Sequence, residues 1–285
     1  MAVLFRFFQR KPDVAVLLLL LILCAVLFRV VWPADQTLLA QDATVSLMAL
    51  YRAELPAAFT QGFWRAMPLL GRAGHTPPTL TFALLSLLPV ELFFDWIYAF
   101  FLFSGTLALY GLLRGRSFSP VAAGVGGLTA FWLGSNLTLL YPGHLEKFAV
   151  VSLASFTLWG LEAFFRKPDL RIALATGGCA GMMFLHQADL ALFFSLPLAA
   201  RALFLLLQPP CHPRRTVLLR GLPALIPFLL LTVQAYRFSI AAHVRDVAVL
   251  ESSNPADRWD FLTQWSFPPA ESLSLIAPGF HGWRS

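Results

Sequence analysis

Charge is scarce in this sequence. Only 13% of the 285 residues are charged, whereas 58% are hydrophobic. A water-soluble domain of this size needs roughly 25% charged residues to cover its surface, and the mean hydropathy of +0.70 is equally unfavourable in water. The deficit of charge excludes an ordinary soluble globular protein and indicates an integral membrane protein.

Cysteine is also rare, and the three residues are Cys24, Cys179 and Cys211. An odd number without a recurring spacing excludes a disulfide framework and a cysteine-based metal site. Walker A, GxSxG and HExxH motifs are missing from the sequence as well, so the commonest signatures of nucleotide, ester and zinc chemistry are absent. The net charge of +6 does not indicate nucleic-acid binding, because the basic residues form short clusters between apolar runs.

Long apolar runs dominate the rest of the sequence. A membrane-spanning helix needs about 20 such residues, and an N-terminal run of this length without a cleavage site is a retained span rather than a signal peptide. We therefore predict an all-α, polytopic transmembrane helix bundle of about seven spans. The predicted spans are Val14–Trp32, Leu92–Leu113, Pro120–Leu140, Phe148–Phe165, Ile172–Leu185, Leu190–Leu207 and Val217–Ala241.

The basic residues orient these spans. If the short apolar segment Leu80–Leu88 does not cross the membrane, the bases gather in the turns on the N-terminal side, and the positive-inside rule makes that side cytoplasmic. We therefore interpret Leu80–Leu88 as re-entrant or interfacial and expect a multi-pass protein of the bacterial cytoplasmic (inner) membrane. The bases concerned are Arg114, Arg116, Arg166, Lys167, Arg171, Arg214 and Arg215.

Two parts of the chain follow from this topology. A transmembrane helical domain covers residues 1–241 and includes a long outer loop, 33–90, in which Asp42–Leu55 has the pattern of an amphipathic helix on the membrane surface. An outer segment, 242–285, follows. It stops in polar sequence without a closing helix, so we expect a truncated longer protein, with a natural C-terminus as the alternative.

Acids and histidines gather on the predicted outer side. A carboxylate beside lipid has a raised pKa and can act as a general base, or it can hold a divalent cation through its oxygens. We expect Asp42 to lie near His144, in a cavity shared with the amphipathic loop. The candidate residues on this side are Asp35, Asp42, His144, Glu146, Lys147 and His186.

Each candidate also has a purely structural interpretation. Asp35 would be an interfacial cap after Pro33, and Asp42 the N-cap of the following helix. His144 and Glu146 would belong to a capped Pro-Gly turn. His186 would be the polar end of a span at the interface. These alternatives remain open from the sequence.

Short motifs along the chain resemble those of a known family. They are Asp42 with Gly62-Phe63-Trp64 and Leu70-Gly71, the segment from Pro78 to Pro89, Tyr141-Pro142-Gly143-His144, and Pro278-Gly279-Phe280-His281-Gly282. Together with the layout of spans, they resemble the GT-C class of membrane glycosyltransferases, and more narrowly the YfhO-type bacterial membrane proteins.

The resemblance implies an enzyme that moves a sugar from a polyprenyl-phosphate carrier to an acceptor outside the cytoplasmic membrane. It implies that Asp42 is the general base or acceptor-orienting carboxylate, with Asp35 as second choice, and that His144 and Lys147 approach the carrier phosphate. Glu146 and His186 join these as substrate-binding candidates. A transporter, a non-catalytic membrane protein and an inactive fragment are the competing interpretations.

Overall fold

The computed structural model describes residues 11–33, 36–38, 43–55, 57–58, 79–140, 142–208 and 212–246. Side chains are described for these residues up to 237, except for the side chain at 135. Every regular element in this part of the chain is helical, so the predicted all-α class is confirmed there. Asp35, Asp42 and most of the predicted outer segment lie outside the described residues. The chain divides into two compact units, Met1–Ser239 and Ile240–Ser285.

The α-helices are numbered here in chain order, and 3-10 turns follow α1 at Arg29–Val31 and α10 at Leu222–Ala224. The helices are α1 Pro12–Leu27, α2 Val45–Glu54, α3 Leu80–Leu87, α4 Val90–Gly115, α5 Pro120–Phe131, α6 Gly134–Leu137, α7 Leu145–Arg166, α8 Leu170–His186, α9 Ala188–Leu207, α10 Arg214–Gly221 and α11 Leu225–Asp246.

Four of the described helical stretches are long and apolar enough to cross a bilayer. They are α4, with 26 residues, α7, with 22, α9, with 20, and the run Arg214–Arg237, with 24. At 1.5 Å per residue each is at least about 30 Å long, the thickness of the hydrocarbon core. The other predicted spans contain the shorter apolar helices α1, α5 and α8.

The third predicted span, Pro120–Leu140, is not one helix. Its helix α5 stops at Phe131, and Leu133 is extended before the single turn of α6. The side-chain amide of Asn136 donates to the backbone oxygen of Phe131 at 2.9 Å, and the indole of Trp132 donates to Thr106 at 2.9 Å. The first bond satisfies the Phe131 carbonyl, which a continuous helix would pair with a backbone N–H, and the second ties the residue after α5 to α4, so both stabilise the break.

The predicted outer loop contains two short helices. The amphipathic pattern forms α2, which buries Met48 and Tyr51 and exposes Leu50. The N-cap of α2 is Thr44, whose hydroxyl accepts from the backbone N–H of Leu47 at 3.2 Å, so the interpretation of Asp42 as this cap is wrong. Helix α3 has 8 residues and is about 12 Å long, too short to cross a hydrocarbon core of about 30 Å.

The core forms where α4 packs between α5 and α7, and where α7 packs on α8. Aromatic side chains fill it: Tyr98, Phe101, Phe131 and Phe148 are almost completely buried. A Cβ atom on Gly127 would lie 2.9 Å from the backbone oxygen of Thr106. The glycine-rich part of α5 therefore serves close helix packing.

Arginine side chains gather at one end of the helices. At one end, Arg114 of α4 pairs with Asp13 of α1 at 2.6 Å, and Arg116 beyond α4 pairs with Glu162 of α7 at 2.5 Å. We call this the arginine-rich end, and it also carries Arg166, Arg201 and Arg214. The N-termini of α4 and α7 and the C-terminus of α8 lie at the opposite end, because α4 and α7 run parallel and α8 returns beside α7.

Candidate functional site

A cavity of about 230 Å³ lies at the end of the bundle opposite the arginine-rich end. Helix α2 contributes Leu47, Met48 and Tyr51 to its wall, and α3 contributes Thr81 and Phe82. The turn before α7 and the first turn of α7 contribute the residues from Gly143 to Lys147. Ring contact between Tyr51 and Phe82, with centroids 5.0 Å apart, holds the two short helices together. We call this space the cover cavity, because the two short helices form one side of it.

The polar wall of the cover cavity depends on a tight turn. Gly143 has φ = 86°, a left-handed conformation that a glycine adopts without steric cost. The chain then enters α7, with His144 at the N-cap position and Glu146 in the first turn. A carboxylate is favoured there because the free N–H groups of a helix N-terminus carry partial positive charge.

Glu146 is held from two sides. Its Oε2 contacts Nδ1 of His186, the last residue of α8, and its Oε1 accepts from the Thr79 hydroxyl at 3.3 Å. The side chain of His186 is completely buried, whereas that of Glu146 is 28% exposed. Glu146 therefore faces the cover cavity, and His186 lies behind it and fixes its orientation.

The second ring nitrogen of His186 is enclosed. Nε2 is buried and has no hydrogen-bond partner among the described residues, and the ring of Phe101 stands edge-on at a centroid distance of 6.3 Å. An unpaired buried nitrogen costs free energy. His186 is thus the polar last residue of α8, with a buried side chain that contacts an acid.

A cationic group stands beside the carboxylate. Lys147 Nζ lies 3.4 Å from Nδ1 of His144, and both residues line the cover cavity together with Glu146. The cavity wall therefore carries one carboxylate, one ammonium group and one imidazole within four consecutive residues, at the N-cap and first turn of α7. Such a wall can accept a proton from a hydroxyl and can donate hydrogen bonds to an anion.

The structure thus brings together the candidates His144, Glu146 and Lys147, with His186 joined to them through Glu146. Ala43 also lines the cavity, but the neighbouring Asp42, like Asp35, lies outside the described residues. No group of three His, Cys, Asp or Glu side chains suited to a metal ion occurs in the described ranges. A divalent cation that used Asp35 or Asp42 stays a prediction.

A second concave site, which the sequence did not predict, lies at the arginine-rich end. Glu162 has a side chain only 7% exposed, and its Oε1 accepts from Arg116 and from Arg201. These residues line a cavity of about 610 Å³. Glu162 lies inside the predicted span Phe148–Phe165, and the available signal was an acid embedded in an apolar run, which usually indicates a partner or a function.

Comparison of the chain with protein families, with curated proteins and with solved structures finds no match. The resemblance to GT-C glycosyltransferases and YfhO-type proteins therefore depends on the short sequence motifs and the layout of the predicted spans.

Proposed function

We propose that the protein transfers a sugar from a polyprenyl-phosphate carrier to an acceptor hydroxyl on the side of the membrane opposite its N-terminus. The observation that supports this proposal most is the Glu146–His186 contact at the wall of the cover cavity. It gives an oriented carboxylate, next to a lysine and a histidine, under two short apolar helices. That combination suits a ligand with a sugar, a phosphate and an apolar tail.

The carboxylate would serve the acceptor. In the transfer step the acceptor oxygen bonds to the anomeric carbon of the sugar, and the bond from that carbon to the phosphate oxygen breaks. The acceptor proton goes to a carboxylate, and polyprenyl phosphate leaves with the bonding electron pair. We assign the base to Asp42 first and to Asp35 second, as the resemblance implies. Glu146 is the alternative that its orientation by His186 and Thr79 supports.

The leaving phosphate needs cationic or N–H donors, because negative charge builds up on it as the bond breaks. Lys147 and His144 are the groups proposed for this role, since both line the cavity that Glu146 faces. With Glu146 as the base, the acid–base and phosphate-binding groups belong to one turn and one helix start. Donor and acceptor would be aligned by a short stretch of rigid backbone.

The short helices would admit the lipid tail. Arg52 of α2 donates to the backbone oxygen of Leu85 in α3 at 3.2 Å, so the two helices form one cover. Leu50 of α2 and Leu87 of α3 are exposed apolar side chains. An apolar cover at the membrane surface suits a carrier whose isoprenoid chain must stay in lipid while its head group enters the cavity.

The proposal includes the finer topology. We propose seven spans, a cytoplasmic N-terminus and an outer C-terminal segment, in the bacterial cytoplasmic membrane. The alternation of helix directions supports it: α1 begins and α4 ends at the arginine-rich end, where Asp13 meets Arg114. Basic side chains at one end of the bundle match the positive-inside rule.

A transfer assay tests the proposal. Membranes containing the full chain receive a panel of polyprenyl phosphates, each with one radiolabelled hexose, and label in the lipid-free fraction is measured. Asp42→Asn and Glu146→Gln should each lower the initial rate, by about 100-fold or more for whichever residue is the base. Asp189→Asn is the matched control, since Asp189 is an exposed acid at the same end, outside the cavity wall, and should stay within about two-fold.

Two outcomes would contradict the proposal. One is wild-type membranes that release no label from any donor of the panel. The other is a rate unchanged in both Asp42→Asn and Glu146→Gln while the amount of folded protein in the membrane is equal. Either result would favour the transporter-like or non-catalytic interpretation.

A further inference from the structure

The larger cavity, at the arginine-rich end, is basic. Its volume is about 610 Å³, and Arg116, Arg166, Arg201 and Arg214 all line it, with Glu162 as the acid in its wall. The guanidinium groups come from four different parts of the chain: the end of α4, the end of α7, α9 and the start of α10. The fold therefore brings four positive charges into one concave site, although like charges repel each other.

Most of the guanidinium donors remain available. Arginine has five N–H donors. Arg116 uses one of them on Glu162, Arg201 uses Nε and Nη2 on the same oxygen, and Arg166 donates from Nη1 to the backbone oxygen of Gly115. The side chain of Arg214 has no hydrogen bond or ion pair within the described part of the chain. A single carboxylate thus fixes two of the arginines and leaves the cavity with a surplus of positive charge.

The apolar neighbourhood indicates what kind of anion would fit. The last two turns of α9 contribute Phe204, Leu205 and Leu206 to the cavity wall, and Phe204 stacks against the Arg201 guanidinium at 4.9 Å. Leu203 and Leu207 of the same turns are exposed apolar side chains. The cavity therefore joins a basic floor to an apolar helix face of the kind that contacts acyl chains.

We propose that this cavity binds the phosphate of an anionic membrane phospholipid, with the acyl chains lying along α9. Guanidinium groups match phosphate oxygens in geometry and charge, and basic pockets between membrane helices bind such head groups. The site is separate from the cover cavity, at the other end of the bundle, and does not depend on the proposed sugar transfer. Glu162 acts as a positioning residue, because it holds Arg116 and Arg201 in place.

Native mass spectrometry of the full chain in detergent tests the proposal. The protein is titrated with phosphatidylglycerol, with phosphatidylcholine of the same acyl chains, and with soluble glycerol phosphate. The expected result is retention of phosphatidylglycerol at concentrations where phosphatidylcholine is lost. Arg214→Gln should weaken phosphatidylglycerol binding about five-fold, the effect of one charge near a membrane surface. Arg214→Lys should keep most of the affinity.

Arg215→Gln is the matched control, since Arg215 is the exposed neighbour of Arg214 and does not line the cavity. It should change the affinity by less than two-fold. Equal effects of Arg214→Gln and Arg215→Gln would overturn the proposal, because they would indicate general surface charge. Binding of glycerol phosphate as tight as that of phosphatidylglycerol, and lost in Arg214→Gln, would overturn the lipid as the occupant in favour of a soluble phosphoryl anion.

Discussion

Glu146 and His186 are 40 residues apart in sequence and meet through Oε2 and Nδ1 at the wall of the cover cavity. The contact joins the first turn of α7 to the last residue of α8. The two helices are antiparallel neighbours. Loss of the contact should therefore weaken the packing of α7 on α8 as well as impair the chemistry proposed for the cavity.

A double-mutant cycle should measure this contact. Glu146→Ala leaves a buried imidazole without its partner, whereas His186→Phe keeps the ring and removes the polar nitrogens. We expect a coupling free energy of about 1–3 kcal/mol between the two changes, the cost of an unsatisfied buried group. Thermal unfolding of the four proteins in detergent gives the value. Additive effects, within about 0.5 kcal/mol, would contradict the contact.

The topology predicts which turns face the cytoplasm. Single cysteines at Ser117, Asp169 and His212, in a chain without the native cysteines, should all resist a membrane-impermeant maleimide added to intact cells. All three positions lie in turns at the arginine-rich end. A cysteine at the exposed Asp189 is the positive control and should react. Labelling of any of the first three from outside would invert the proposed orientation.

Two adjacent glycines of α8 should respond in opposite directions to the same substitution. A Cβ atom on Gly177 would lie 2.0 Å from the backbone oxygen of Ala224, whereas one on Gly178 meets nothing within 4 Å. Gly177→Ala should therefore destabilise the protein by about 1–3 kcal/mol through overpacking. Gly178→Ala should stabilise it by up to about 1 kcal/mol, since alanine is the better helix former.

Unfolding midpoints in a mild detergent series compare the two glycine variants directly. Equal shifts of both variants would mean that α8 does not approach the 3-10 turn Leu222–Ala224 closely. The comparison is sharp because the two residues share a helix, a residue type and a membrane depth.

Glu162 should be more important for stability than a surface acid. Its side chain is only 7% exposed, while those of Arg116 and Arg201 are 44% and 26% exposed. Glu162→Gln should destabilise the fold by about 1–3 kcal/mol, less than a fully buried pair would cost because water reaches both arginines. Asp169→Asn is a control on an exposed helix cap. A midpoint shift for Glu162→Gln no larger than for Asp169→Asn would contradict the network.

The sequence predicted the helical class, because runs such as Leu190–Leu207 are apolar over a length that only a buried or membrane helix tolerates. Helix limits were less accurate: α7 begins at Leu145 rather than Phe148. Polar residues in the first turn are favoured at a helix N-terminus, but they interrupt a purely apolar pattern.

Three features that the sequence did not predict depend mainly on tertiary contacts or exact position: the break after Phe131, the cap of α2 and the role of Glu162. The break after Phe131 requires the Asn136 amide and the Trp132–Thr106 bond, which no periodicity of the run Pro120–Leu140 indicates. Asp and Thr can both cap a helix, so residue type alone does not distinguish Asp42 from Thr44. Thr44 is the cap because it directly precedes the first helical residue, Val45. The role of Glu162 depends on arginines 46 and 39 residues away, and a pattern confined to one span contains neither of them.

The central claim is that the cover cavity receives the lipid-linked sugar. A photoreactive phenylalanine analogue at Leu47, which lines the cavity, and at Leu192, which is exposed near the start of α9 and does not line it, tests it directly. After illumination with a radiolabelled polyprenyl-phosphate hexose, we predict label on the Leu47 variant and at least about ten-fold less on the Leu192 variant, with an excess of unlabelled donor removing the difference. Equal labelling of both positions, or labelling of Leu192 alone, would contradict the account.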